Sequence, residues 1–182
     1  MTTHQLFDMV ILDVIMILHK RRLDMSPEKI MSLCFLIKNI DGQKFVCLAK
    51  KKRGFRVGML GGFGGKIEIG ETMDECVFRE TFEESTVKLR DFKKAGVINF
   101  FNHVFTAVVH VYISTSWEGE PVETEEVSPA WYKFEDIVYK ELGESDGLWI
   151  PQILEGKRVV ATFKFDENDA LYFQEVRETT EF

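Results

Sequence analysis

Apolar and polar positions fall along this chain in short strand-like runs, with one long stretch of helical spacing among them. Ile30 to Lys38 and Phe45 to Ala49 are rich in branched and aromatic residues. Asp41-Gly42 between them is a two-residue hairpin signal, so two antiparallel strands are predicted. Gly96 to Phe101 and Phe105 to Ser116 form a second such pair, with a turn at Asn102-His103. Gly58 to Gly65 reads as a loop leading to a short strand, and Pro121 to Pro129 as an acidic loop. Trp131 to Tyr139 adds another apolar segment, and Val159 to Phe165 and Leu171 to Val176 read as the final strands. Thr72 to Glu84 contains neither Gly nor Pro, and Thr72 with Glu75 spells a capping box, which predicts a helix. Trp149 to Glu155 is a shorter helix candidate. These elements describe a strand-dominated α+β domain over residues 30–182.

Residues 1–29 read as an N-terminal extension. Phe7 to Leu18 is a short apolar run interrupted by Asp8 and Asp13 and followed by His19-Lys20-Arg21-Arg22. Its length and charge order fit a packing helix and neither a membrane span nor a cleaved signal.

Composition narrows the choice of partner. The net charge of −7 argues against long nucleic acid, whose binding rests on clustered Lys and Arg. A small anionic ligand stays possible if a metal neutralises it. Three widely spaced cysteines, Cys34, Cys47 and Cys76, sit in apolar surroundings and read as reduced, buried thiols, which places the chain in the cytoplasm or in a nuclear or mitochondrial pool. His4, His19, His103 and His110 lack zinc-ligand spacing and receive no catalytic role. No membrane partner is expected.

The helix carries the chemistry. At about 100° per residue, Met73, Val77, Glu80 and Glu84 fall nearly on one line, with Cys76 and Glu83 beside them. Three carboxylates are thus expected on the apolar side, where crowding and lost hydration call for a cation. All-oxygen ligands select Mg²⁺ or Mn²⁺ over zinc, and Mg²⁺ commonly shares its shell with substrate phosphates. Arg79 stands one turn before Glu83 and can orient it. The glycines at 61, 62, 64 and 65 allow close backbone approach. This loop is not a Walker A sequence, because Leu60 and Ile67 stand where Gly and Ser or Thr are required.

Gly65-x5-Glu71-x7-Arg79-Glu80-x-x-Glu83-Glu84 matches the Nudix signature at every charged position. Thr81 stands where an aliphatic residue is usual and Thr86 where Gly is usual. Because Thr resists the left-handed conformation, a different helix exit is expected. From residue 30 to 178 the chain resembles the oxidised purine nucleoside triphosphate hydrolases, through Lys51-Lys52-Arg53-Gly54-Phe55, Gly62-Phe63-Gly64-Gly65-Lys66, Trp149-Ile150-Pro151 and Phe163-Lys164-Phe165. The resemblance implies a Nudix fold, a mixed sheet sandwiched by helices. It implies metal ligands at the Gly64 carbonyl, Glu80, Glu83, Glu84 and a loop acid at Glu126. It implies substrate contacts at Ser32, Lys51, Phe55, Phe100, Asp146 and Trp149, and Lys66 can add phosphate charge. Arg79 and the three helix acids form the catalytic set, with the base either Glu83 or Glu84. Gly61, Gly143 and Ser145 depart from the family's Asn, Trp and acid.

The implied activity is Mg²⁺-dependent hydrolysis of a nucleoside triphosphate to monophosphate and pyrophosphate, on oxidised purines such as 8-oxo-dGTP or 2-hydroxy-dATP. Two alternatives stand beside it. One is a Nudix hydrolase of a dinucleoside polyphosphate, RNA cap or sugar nucleotide, and the other is a non-catalytic Nudix-fold binding module. Phe78 and Phe82 lie on the helix side away from the acids, so a monomer is expected unless the N-terminal segment uses this patch to build a dimer.

Overall fold

The computed structural model describes residues 28–54 and 56–182. The expected N-terminal helix, and Phe55, lie outside the described residues. Strand β1 (Glu28–Ile40) takes in Glu28 and Lys29, the last two residues expected in the N-terminal extension. It turns into β2 (Gln43–Lys51) through Asp41 and Gly42, both at positive φ (51° and 81°), as a primed hairpin turn requires. The other strands are β3 (Leu60–Gly61), β4 (Lys88–Leu89), β5 (Lys93–Phe101), β6 (Thr106–Ser114), β7 (Trp117–Glu118), β8 (Val127–Lys133), β9 (Val159–Phe165) and β10 (Leu171–Glu178). The helices are α1 (Met73–Ser85) and α2 (Asp146–Leu154).

The main sheet runs β10-β9-β5-β6-β1-β2-β3, with β8 on the other side of β2, and β4 pairs with β7 separately. β1 and β6 run parallel, as do β5 and β9, while the remaining pairs are antiparallel. Strand alternation sends Leu33, Phe35 and Ile37 toward α2, where they join Trp149, Ile150 and Ile153 in one core. Cys34 and Leu36 point the other way and pack with Val77 of α1. The result is a mixed sheet between two helices, as expected for α+β. Among the described residues no helix is long and apolar enough to cross a membrane.

Two segments differ from the sequence reading. Val127 to Pro129, expected as loop, opens β8. Pro129 is tolerated there because, among the described residues, β8 pairs only with β2 and lies at an edge. Beyond Lys133 the chain leaves the sheet through short 3₁₀ turns at Phe134–Asp136 and Tyr139–Glu141.

The glycine loop is wedged against β1. β1 meets β2 only from Leu36 to Ile40, and the segment after β3 takes its place along the earlier residues. Phe63 N–H donates to the Cys34 carbonyl at 2.9 Å, and Cys34 N–H donates to that of Phe63 at 2.7 Å. Ser32 N–H donates to the Gly65 carbonyl at 2.9 Å. A Cβ on Gly62 would lie 2.6 Å from the Cys34 oxygen, and one on Gly64 would lie 2.1 Å from the Ser32 oxygen. Only glycine permits this approach. Gly62→Ala is therefore expected to lower stability by about 1–3 kcal/mol, seen as a lower denaturant midpoint at constant slope. An unchanged midpoint would contradict the wedge.

Candidate functional site

Helix α1 begins as the capping box predicted. Thr72 accepts from Glu75 N–H at 3.3 Å, and Glu75 accepts from Thr72 N–H at 2.8 Å. Cys76, Val77, Thr81, Glu84 and Ser85 are buried on its inner face. The fully buried Thr81 fills the position where the signature expects an aliphatic residue.

Glu84, 4% exposed, is the innermost acid. One of its carboxylate oxygens accepts the Gly64 N–H at 2.8 Å, and the other meets Lys51 Nζ at 3.3 Å. Glu80 is half-buried beside the loop, where a Cβ on Gly65 would meet its carboxylate at 2.4 Å. Burial raises the carboxyls of both Glu84 and Glu80 above the ordinary range. Glu83 is a correction to the expected trio. Its side chain is 57% exposed, because it sits about 100° around the helix from Glu84 and lands on the flank.

Arg79 binds these acids together. It donates from Nε and Nη2 to the two oxygens of Glu71 at 2.7 and 2.8 Å, and from Nη1 to Glu80 at 2.9 Å and Glu83 at 3.2 Å. Nη2 also reaches the Lys66 carbonyl at 3.0 Å. The expected pair with Glu83 exists, but the bidentate partner is Glu71, a box residue that the sequence reading left without a role. Its fixed place in the signature was the available signal. The Lys66 side chain is exposed at the rim.

The loop acid is brought alongside without entering the cluster. Val122 N–H donates to the Ser85 carbonyl at 3.1 Å, and Lys52 N–H to the Glu126 carbonyl at 2.7 Å. These bonds dock residues 122–126 on the exit of α1, while the Glu126 carboxylate pairs with Arg53. Among the described residues no three His, Cys, Asp or Glu side chains are gathered around one point. The acids rest instead on Arg79, Lys51 and a backbone N–H. An all-oxygen donor set with two carboxyls raised by burial still fits a hard divalent cation, which would favour their ionised forms.

The expected substrate residues divide between the two faces of the sheet. Lys51 belongs with the acids. Ser32 also faces α1, where its hydroxyl accepts from the Cys76 thiol at 3.3 Å. Strand alternation thus sets it on the face of the sheet away from Trp149. On the α2 side Trp149 is 1% exposed, and Phe100 stacks on Phe163 with centroids 5.7 Å apart. Asp146 is buried beside them. It accepts from Trp149 Nε1 at 3.2 Å and pairs with Arg56, and burial raises its carboxyl against the pull of that arginine. Nothing in the sequence reading singled out Arg56.

The exit of α1 overturns one expectation. Thr86 adopts the left-handed conformation (φ 64°, ψ 5°), with its N–H on the Phe82 carbonyl at 2.7 Å. Fully buried Val87 and the docked Val122 hold this turn from either side. Phe78 and Phe82 are exposed, at 42% and 41%.

Two outcomes follow from these contacts. Thr86→Gly is expected to stabilise the fold by about 1 kcal/mol, read from the unfolding midpoint, because the turn no longer strains a β-branched residue. Arg79 holds the Glu71 carboxyl down at about 2, against its ordinary 4.5. The stabilisation from this pair is therefore complete above the ordinary value and is lost as pH falls toward about 2. The stability gap between the protein and Glu71→Gln should close across that window, and a gap independent of pH would refute the pairing.

Comparison with known proteins agrees with this geometry. A family model described as the NUDIX domain matches residues 30–153. The chain is 37% identical over 128 residues to an oxidized purine nucleoside triphosphate hydrolase of Danio rerio, spanning 69% of this chain and 82% of that protein. It is 34% identical over 139 residues to the Mus musculus protein of the same name, spanning 75% of this chain and 89% of that protein. A MutT protein from Bacillus halodurans shares the fold, with a TM-score of 0.70 at 22% identity over 81% of this chain and 97% of that one. The family match spans the glycine loop, the acidic helix and most of α2, and the chain belongs to the Nudix family.

Proposed function

We propose that this chain hydrolyses a nucleoside triphosphate to a monophosphate and pyrophosphate with Mg²⁺, or Mn²⁺ in its place, and that oxidised purine nucleotides such as 8-oxo-dGTP or 2-hydroxy-dATP are its substrates. The observation that carries this reading is the setting of Glu84, a buried carboxylate held between the Gly64 N–H and Lys51 on a helix whose other acids are ordered by Arg79. The names of the Danio rerio and Mus musculus relatives support the substrate class.

A divalent cation held here would supply charge to polarise the phosphoryl oxygens, stabilise the leaving group and lower the pKa of the attacking water. Glu80, Glu83 and Glu84 would hold it, with the Gly64 carbonyl and Glu126 once its side chain leaves Arg53. Glu84, or the more exposed Glu83, takes the proton from water. Lys51 lies 3.3 Å from Glu84 and would bring its charge to the phosphates if that carboxylate held a cation. Arg79 keeps the acids in register and needs no contact with substrate. Lys66 adds charge at the rim.

A second reading keeps the chemistry and changes the nucleotide. Gly61 leaves open space where a side chain would project, so a larger leaving group, as in a dinucleoside polyphosphate, RNA cap or sugar nucleotide, could be admitted there. Pyrophosphate release and product identification across such a panel with Mg²⁺ separate the readings. Glu84→Gln is expected to cut turnover by at least about 10²-fold while the circular dichroism spectrum stays unchanged. Full turnover in that variant would remove Glu84 from the mechanism.

A further inference from the structure

The outer side of α1 borders a cleft of about 680 Å³ whose apolar wall has no part in the chemistry. That wall is Ile69, Phe78 and Phe92, and Glu68, Asp74 and Glu75 stand on its rim. Ile69 is fully exposed and Phe78 is 42% exposed. Phe92 is anchored in the core by a T-shaped pair with Tyr112, with centroids 5.6 Å apart. Phe82, one turn beyond Phe78, is met by Lys88 Nζ at 5.9 Å from its ring centroid. Phe78 has no ring or cation contact among the described residues.

The acids of the cleft are not equally engaged. Glu71, which also lines it, is taken by Arg79, and Glu75 is taken by the Thr72 cap. Glu68 and Asp74 form no ion pair among the described residues. Lys94, the β5 cation that senses Asp74, lies with Nζ over the Phe182 ring at 5.3 Å rather than paired with it. An apolar wall below uncompensated acids fits an apolar segment with a basic end.

The chain supplies such a segment at this place. Ile67 N–H donates to the Ile30 carbonyl at 3.0 Å, so β1 enters the sheet beside the rim that carries Glu68. The sequence ahead of β1 runs from Phe7 to Leu18 and then through Lys20-Arg21-Arg22. The six positions from Arg22 to Glu28 reach about 20 Å, enough for the basic tract to meet the rim without disturbing β1. A second copy fits less well. A two-fold contact would lay this rim on itself, acid against acid, in a chain whose net charge is already −7.

We propose that residues 7–22 of the same chain seat in this cleft, Phe7 to Leu18 on Ile69, Phe78 and Phe92, and Lys20-Arg21-Arg22 against Glu68 and Asp74. The segment then braces α1 from the side opposite Glu80 and Glu84 and covers Phe78.

The test is hydrogen–deuterium exchange by mass spectrometry on the full chain, with molar mass from light scattering. The protein is compared with Phe78→Gln, with Glu68→Lys/Asp74→Lys and with Lys20→Glu/Arg21→Glu/Arg22→Glu. Phe78→Gln should speed exchange across residues 7–22 by about ten-fold while β1 and β6 exchange as before, which shows that the domain stays folded. Each charge reversal alone should act in the same direction, and the two combined should restore slow exchange at the mass of one chain. Exchange in residues 7–22 that ignores the cleft variants would overturn the proposal. So would protection that comes with a doubled mass and vanishes on dilution, which gives the cleft to a second copy. Protection that appears only with anionic lipid vesicles would overturn it too, because the segment then belongs to a membrane surface.

Discussion

The close approach of the 62–65 backbone to β1 is the constraint on which the rest of the site depends. Without a Cβ at Gly62 and Gly64, the loop hydrogen-bonds directly along β1 and buries Phe63 beneath α1. That places the Gly64 N–H where Glu84 ends and Gly65 against the Glu80 carboxylate. The helix is thereby registered against the loop by contacts too short to slide. A wider loop would leave Glu84 buried without the donor that makes its burial tolerable.

Charge explains the next layer. Among the described residues, Glu71, Glu80, Glu83 and Glu84 pair with only two cations, Arg79 and Lys51. Arg79 spends its planar fork on Glu71, a bidentate match that a lysine could not reproduce, and reaches two further acids from the remaining nitrogen. The cluster therefore keeps about two uncompensated negative charges at the edge of a hydrophobic core. Such an edge gains most from a compact divalent ion.

Much of this was legible because it is written in local patterns. The Asp41-Gly42 turn, the Thr72 to Glu75 box and the strand at Val159 to Phe165 each depend on neighbours in sequence, and each stands where the pattern put it. Helical periodicity placed Glu80 and Glu84 inward, but it could not separate the flank from the face, so Glu83 was misjudged. What escaped was nonlocal. The left-handed Thr86 is imposed by Val87 and residues 122–126, Ser32 is turned from Trp149 by strand parity, and Arg56 finds Asp146 ninety positions later. Propensity carries no information about partners at that distance.

The strand order has a kinetic meaning as well. β1 takes its parallel neighbour β6 from nearly eighty positions along the chain, with Glu28 opposite Thr106, and β5 takes β9 from more than sixty, with Gly96 opposite Val159. Such pairings close large loops before they return any stabilisation, which slows folding and makes it cooperative. The acidic helix can form early from its own cap, but the floor it rests on exists only once β1 is paired on both edges. A nascent chain therefore carries the signature long before it carries the site, and nucleotide recognition arrives in one step with the completed sheet.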